Sequence, residues 1–281
     1  MLDLSDSQLE LAREIIENSI RSRIRKAGAE GGVVAMSGGL DSSLVAKLAS
    51  EALGERLLAL LMPEDGVTKP EDTVHARAWA EELGIEYRLV EIGGALRPLE
   101  AAFKGMKKGD KGRRLVAWGN VKPKVRMVLN YMVANLESRI VIGTSNKTEM
   151  LLGYTTKYGD GGVDIQPIGD LYKTQVRQMA RYLGLPRPIL EKAPSAGLWP
   201  GQKSEEELGA TFEELDSILY LIVERGYSTK EAALELGKDL AFVRRVYERV
   251  RVNEHKRKTP TITRLTAMCL DKDWRYPVER E

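Results

Sequence analysis

The feature that most constrains this chain is a short uninterrupted apolar run, Val33-Val34-Ala35-Met36, which breaks into Ser37-Gly38-Gly39 and passes at once into helix-forming residues. A strand covered on both faces has no polar alternate and reads as just such a run. The punctuation recurs. Residues 57–62 are apolar and stop at Pro63, 72–83 read as a helix closed by Gly84, and 85–92 read as a strand ending at Gly93-Gly94. Residues 122–136 read as a further helix, and Ile140-Val141-Ile142 form another apolar run before Gly143. Such alternation specifies βαβ units and hence an α/β fold, a parallel twisted sheet with helices on both faces.

Upstream, Ser5 and Gln8 mark a capping box, and Leu9, Ala12, Ile16, Ile20 and Ile24 recur at helical spacing until Gly28. Downstream, helices are expected at 212–224, 229–236 and 240–254, giving a helical C-terminal region. Residues 194–209 turn to Ser, Gly, Pro and Glu and are expected to form a long mobile loop able to close over a ligand. The tail from 259, with Trp274, is expected to pack on the body. With 281 residues and no internal repeat, a single domain over 1–281 is expected.

Lys plus Arg number 43 against 41 for Asp plus Glu, a net charge of +2, so no global field draws the chain onto nucleic acid or a membrane. Basic residues concentrate in 104–126 and in His255-Lys256-Arg257-Lys258, either of which alone reads as solvated surface. Cys269 is the sole cysteine, which excludes an internal disulfide and a thiolate zinc cluster and fits a reducing cytoplasm. No apolar run reaches the ~20 residues needed to span a bilayer.

In a doubly wound sheet, ligands sit beyond the carboxyl ends of the strands, so the segments after Met36, Met62, Ile92 and Ile142 should converge on one crevice. Ser37, Gly38, Gly39, Leu40, Asp41, Ser42 and Ser43 link a strand to a helix, the geometry in which unpaired amides and the helix dipole bind an anion. Asp41 would repel a phosphate unless a cation lay between them, which implies Mg²⁺. On turn composition alone, a plain glycine turn with a capping Asp is an equal reading. No Walker lysine motif occurs anywhere in the chain, which argues against attack on a γ-phosphate.

The string Ser-Gly-Gly-x-Asp-Ser resembles the pyrophosphatase loop of the N-type ATP pyrophosphatases, which cleave ATP between the α- and β-phosphates. A second block narrows the choice: 143–149 (GTSNKTE), 153–162 (GYTTKYGDGG) and 167–173 (PIGDLYK). With Gly119-Asn120-Val121-Lys122, Arg126-Met127, the loop 194–198 and Glu254-His255-Lys256-Arg257, it closely resembles the NAD synthetase family. The resemblance implies an adenine nucleotide alpha hydrolase-like, Rossmann-like fold. It also implies Asp41 and Glu149 as Mg²⁺ ligands, and an ATP site made of residues 37–43 with Met62, Thr144, Lys173 and Ser195. Lys157, Asp160, His255 and Lys256 are the implied deamido-NAD contacts, with Lys124 and Tyr131 as further candidates. Lys124 stands where most of the family carries Arg, so charge is kept but the bidentate clasp is not.

The activity so implied is that of a C–N ligase using ATP, ammonia and deamido-NAD, with Asp41, Glu149 and Lys173 at the reacting phosphates and Asp160 orienting ammonia. Direct use of ammonia is expected, because one helix precedes the ATP loop and Cys269 has no histidine nearer in sequence than His255. A homodimer is expected from the resemblance and from the apolar face of the first helix. The rivals are another ATP pyrophosphatase, either a tRNA-modifying relative, which would need an RNA-binding surface and often catalytic cysteines, or an amidotransferase synthetase subunit, and a non-catalytic nucleotide-binding protein, which would not need both carboxylates.

Overall fold

A computed structural model describes residues 2–106 and 108–267. The chain opens with α1 (Asp6–Lys26), capped reciprocally by Ser5 and Gln8, then β1 (Gly31–Ala35), α2 (Leu40–Leu53), β2 (Leu57–Leu61), α3 (Pro70–Glu82) and β3 (Glu86–Leu89). It continues through α4 (Gly93–Gly105), α5 (Lys111–Gly119), α6 (Val121–Leu136), β4 (Arg139–Ile142), α7 (Lys147–Leu152), α8 (Lys173–Tyr182) and α9 (Arg187–Leu190). The C-terminal helices are α10 (Ser204–Leu208), α11 (Phe212–Leu219) running into a π-helical turn (Tyr220–Glu224), α12 (Thr229–Leu236), α13 (Leu240–Val252) and α14 (Glu254–Arg257).

The four strands are parallel in the order β3-β2-β1-β4, with Val33 level with both Leu58 and Val141. Side chains alternate between faces along a strand, and the core divides accordingly. Val33, Leu58, Leu60 and Val141 pack under α4 and α6 through Leu96, Val125 and Ala134. Val34, Leu57, Ala59 and Leu61 pack under α1, α2, α3, α8 and α9. A third cluster joins Leu152 and Tyr172 to α11, α12 and α13. The chain runs outward from β1 through β2 to β3 and then returns to pair β4 on the other side of β1. That reversal is a topological switch point, and it opens a crevice beyond the ends of β1 and β4.

Several expectations change. Within the run 85–92 only Glu86–Leu89 forms a strand, partly exposed at the sheet edge, although Val90 N and Ile92 N go on to donate to the Leu61 and Pro63 carbonyls at 2.8 and 3.0 Å, and Gly93 opens α4. The apolar face of α1 does not await a partner, because Leu9, Ile16, Ile20 and Ile24 are buried within the chain. The 194–209 segment contains α10 and buries Gln202 and Ser204. Residues 259–267 are exposed rather than packed on the body, while Cys269 and Trp274 lie outside the described residues.

Candidate active site

Ser37 to Gly39 leaves β1 and wraps into α2 with Gly38 at φ +70°, where a Cβ would lie 2.3 Å from the Asp72 carbonyl oxygen of α3. The loop therefore needs glycine for both conformation and contact. Ser42 Oγ accepts from Ser37 N at 3.2 Å and lies 3.1 Å from Ser37 Oγ, which fixes the turn from within. The N-cap, Gly39, supplies no side-chain acceptor, so the first-turn amides of α2 remain for an anion. Leu40, Ser43 and Met62 are buried, and among the described residues Ser43 Oγ finds no hydrogen-bond partner.

Asp41, on the first turn of α2, meets β4's continuation across the switch point. Asn146 Nδ2 donates to Asp41 Oδ1 at 2.9 Å, and the Lys173 ammonium donates to Asp41 Oδ2. Lys173 Nζ is 3.9 Å from Glu149 Oε1, so one buried ammonium stands between the two carboxylates. Asn146 caps α7 by accepting from Glu149 N at 2.9 Å, which aims Glu149 at that ammonium. The helices are locked by Asp216: Thr174 N donates to it at 2.8 Å, Thr148 Oγ1 also donates to it, and Lys173 N donates to Thr148 Oγ1 at 2.9 Å.

Glu149 is ringed by protein yet keeps 20% of its side chain open to the crevice. Burial, and then the Asp41 charge, push its carboxyl up to about 8, against the pull of Lys173. Burial works to lower Lys173, but Asp41 and Glu149 outweigh it and hold the ammonium above its ordinary value. The pair of carboxylates is thus short of positive charge even with Lys173 in place.

The loop after α7 packs on α6. A Cβ at Gly159 would meet Pro123 at 2.8 Å, one at Gly162 would meet Met127 at 3.1 Å, and Thr156 Oγ1 donates to Asn120 at 2.6 Å. This sets Asp160 at the crevice, accepting from Thr155 Oγ1 at 2.6 Å and Thr156 N at 2.8 Å. Asp160 is exposed, yet the protein packed around its carboxyl pushes it up while those two hydrogen bonds oppose the shift. Lys256 donates to the Gly153 and Thr155 carbonyls at 2.6 and 2.9 Å, bringing α14 onto this loop. Burial, and then Arg249, lower its ammonium.

The remaining candidates are more peripheral. Tyr131 donates to Asp164 at 2.8 Å, Lys157 lies over the Tyr158 ring at 5.3 Å, and Thr144 is half-buried at the end of β4. Lys124, His255 and Ser195 are exposed, and only the Ser195 hydroxyl is engaged, by Gly197 N at 3.1 Å. Three side chains given no site role from the sequence also belong here. Asn146 bridges Asp41 and Glu149. Lys192 pairs with Asp72 at 2.7 Å and donates to the Gly38 carbonyl at 3.3 Å, bracing the glycine loop on α3. Arg126 donates from Nε to the Met62 carbonyl at 3.0 Å, beside the Lys122–Glu64 ion pair of 2.8 Å. Arg126 and Asn146 lie inside quoted motifs, whereas nothing local marks Lys192.

The family model described as NAD synthase matches residues 12–260. The chain belongs to the NAD synthase family. It is 50% identical to an NH(3)-dependent NAD(+) synthetase of Archaeoglobus fulgidus over 90% of this chain and 96% of that one. A relative of the same description from Methanosarcina acetivorans is 45% identical over 91% and 98%. Among solved structures, NMN synthetase from Francisella tularensis superposes with TM-score 0.78 at 34% identity, covering 94% of this chain and 100% of that one. The NH3-dependent NAD synthetase from Campylobacter jejuni, in complex with the nitrate ion, superposes with TM-score 0.74 at 30% identity over 91% and 99%. The parallel sheet with helices on both faces is therefore the fold of this family.

Proposed function

We infer that this chain is an ammonia-dependent NAD synthetase, a ligase that couples ATP cleavage to amide formation on deamido-NAD. The observation that carries the reading is the meeting of Asp41, Lys173 and Glu149 beside the glycine loop at the switch point of the sheet. A carboxylate resists amidation because its leaving group would be oxide. Attack of the nicotinate oxygen on the α-phosphorus of ATP replaces that leaving group with AMP and releases pyrophosphate. Ammonia then attacks the acyl carbon, and AMP departs. In this reading the first-turn amides of α2 receive the pyrophosphate, and Lys173 offsets charge developing on the phosphates. Asp160, whose carboxylate burial makes more basic than an ordinary aspartate, orients ammonia and takes a proton as the amide forms.

The donor set fits Mg²⁺. Two carboxylates at the ends of neighbouring strands, one of them with its carboxyl pushed up to about 8 by burial and then by the other's charge, suit a hard cation that takes its other oxygens from phosphate and water. Asp41 and Glu149 would hold it, and once bound it would offset the charge of the triphosphate.

The sheet, its helices and the C-terminal helical cluster act as one domain in this account, since α7 contributes Leu152 to that cluster and Glu149 to the crevice. A homodimer is supported by α6, whose Val128, Met132 and Leu136 are 51%, 61% and 83% exposed at spacings that form one stripe. Among the described residues no helix is long and apolar enough to cross a membrane. A cytoplasmic setting, no membrane and no nucleic acid remain part of the reading. The likeness to an NMN synthetase favours one second reading, the same chemistry on nicotinate mononucleotide. Both are tested by offering the purified chain ATP, Mg²⁺ and ammonium with either acid, and separating the products. NAD formed from deamido-NAD in clear preference supports the first reading, and preferential amidation of the mononucleotide replaces it with the second. Glutamine in place of ammonium should give no product.

A further inference from the structure

Arg126 sits on α6 between Pro123 and Met127, the two side chains on which Gly159 and Gly162 rest, so its guanidinium lies on the face of α6 that carries the Asp160 loop. It is half-buried, and among the described residues it forms no ion pair. Glu64, the carboxylate that acts on it most strongly, is already held by Lys122 at 2.8 Å. One N–H of Arg126, at Nε, is spent on the Met62 carbonyl, and the two terminal nitrogens are left. Burial lowers the guanidinium below its ordinary range, the sign of a cation that has lost water without gaining a full partner. Leaving such a group unpaired is costly, whereas a planar carboxylate would satisfy both terminal nitrogens at once.

The glycine loop and Lys173 already face the phosphates at the ends of β1 and β4, while Arg126 lies further along, beside Asp160. We propose that Arg126 binds the substrate carboxylate that is to be amidated, and so lets the site distinguish the acid from its amide product. The inference rests on the amide-forming reading above. Binding through a fork of two N–H donors presents the carboxylate edge-on and places its carbon near Asp160. Once the amide has formed, one of the two acceptor oxygens is gone and the clasp weakens, which favours product release.

The test measures binding of deamido-NAD, NAD and α,β-methylene-ATP, each separately by calorimetry, to the unaltered protein, Arg126→Met and Arg126→Lys. The unaltered protein should bind the acid at least about tenfold tighter than the amide. Arg126→Met should erase that preference, hold the ATP analogue within about twofold, and melt at the same temperature or higher, because an unpaired buried charge has been removed. Arg126→Lys should restore part of the preference by charge alone. The proposal is overturned if the unaltered protein shows no preference, if Arg126→Met keeps it, or if that variant melts lower and binds all three ligands equally poorly. NAD formation by the unaltered protein is scored apart: its absence removes the amide-forming reading, whereas NAD formation with the preference intact in Arg126→Met removes only this inference.

Discussion

At the scale of single residues the site is governed by a shortage of positive charge. Lys173 is one ammonium between Asp41 and Glu149. Its loss would leave both carboxylates unpaired, and theirs would leave it buried and alone. Asp41→Asn keeps the shape and the bond from Asn146 while removing the charge, so it should lower turnover at least about 100-fold with the fold intact by circular dichroism. Glu149 makes a pH-dependent prediction. Its carboxyl sits at about 8 against an ordinary 4.5, so between those values the folded chain holds a proton that the unfolded chain has released. Stability contributed at this site is therefore greatest at low pH and falls as pH rises through that window. Glu149→Gln keeps the α7 cap acceptor and removes the titration. Its melting temperature at pH 8 should exceed that of the unaltered chain by a few degrees, with turnover lost, and a lower melting temperature at that pH would contradict the account.

At the scale of elements, the strand-loop-helix unit at 31–53 contributes the turn proposed to receive the phosphates, and its glycine is held by contact as well as by conformation. Gly38→Ala would add a Cβ 2.3 Å from the Asp72 carbonyl at a φ of +70°, so the loop must move away from α3. That should cost about 1 kcal/mol or more of stability and raise the KM for ATP far more than that for deamido-NAD, as steady-state kinetics would show. This unit was the most legible part of the sequence, because an apolar run, a glycine pair and a helix that stops at Gly54 all signal the same geometry locally. Glu149 and Asp160 were legible only through family likeness, since α7 is a helix of six residues and the Asp160 loop has no periodicity. Arg126 lay in view on a helix that periodicity announced, but its lack of an ion-pair partner among the described residues is a property of three dimensions. Lys192 was illegible because its partners, Asp72 and Gly38, are more than a hundred residues away. The 194–209 segment looked mobile by composition. Its ordering comes from Gln202, which accepts from Leu198 N at 2.8 Å and donates to Glu207 at 2.9 Å, and from Leu198 and Trp199 packing on Gly119.

For the molecule as a whole, the switch point explains why chemistry gathers where it does: only beyond β1 and β4 do loops from both halves of the sheet diverge and leave room for a ligand. The C-terminal helices then close one side of that room through α7 and Lys256. The exposed stripe of α6 lies on the surface of this body, and Met132→Glu at its centre should convert a dimer into a monomer in sedimentation equilibrium at micromolar concentration, whereas an unaltered chain that is monomeric there would remove the dimer. The central claim is that this crevice cleaves ATP at the α-phosphorus to activate a carboxylate. It is tested most directly by following the phosphorus products of a reaction of the purified chain with ATP, Mg²⁺, ammonium and deamido-NAD. The account predicts AMP and pyrophosphate in equal amounts to the NAD formed. ADP and inorganic phosphate as the main products would contradict it.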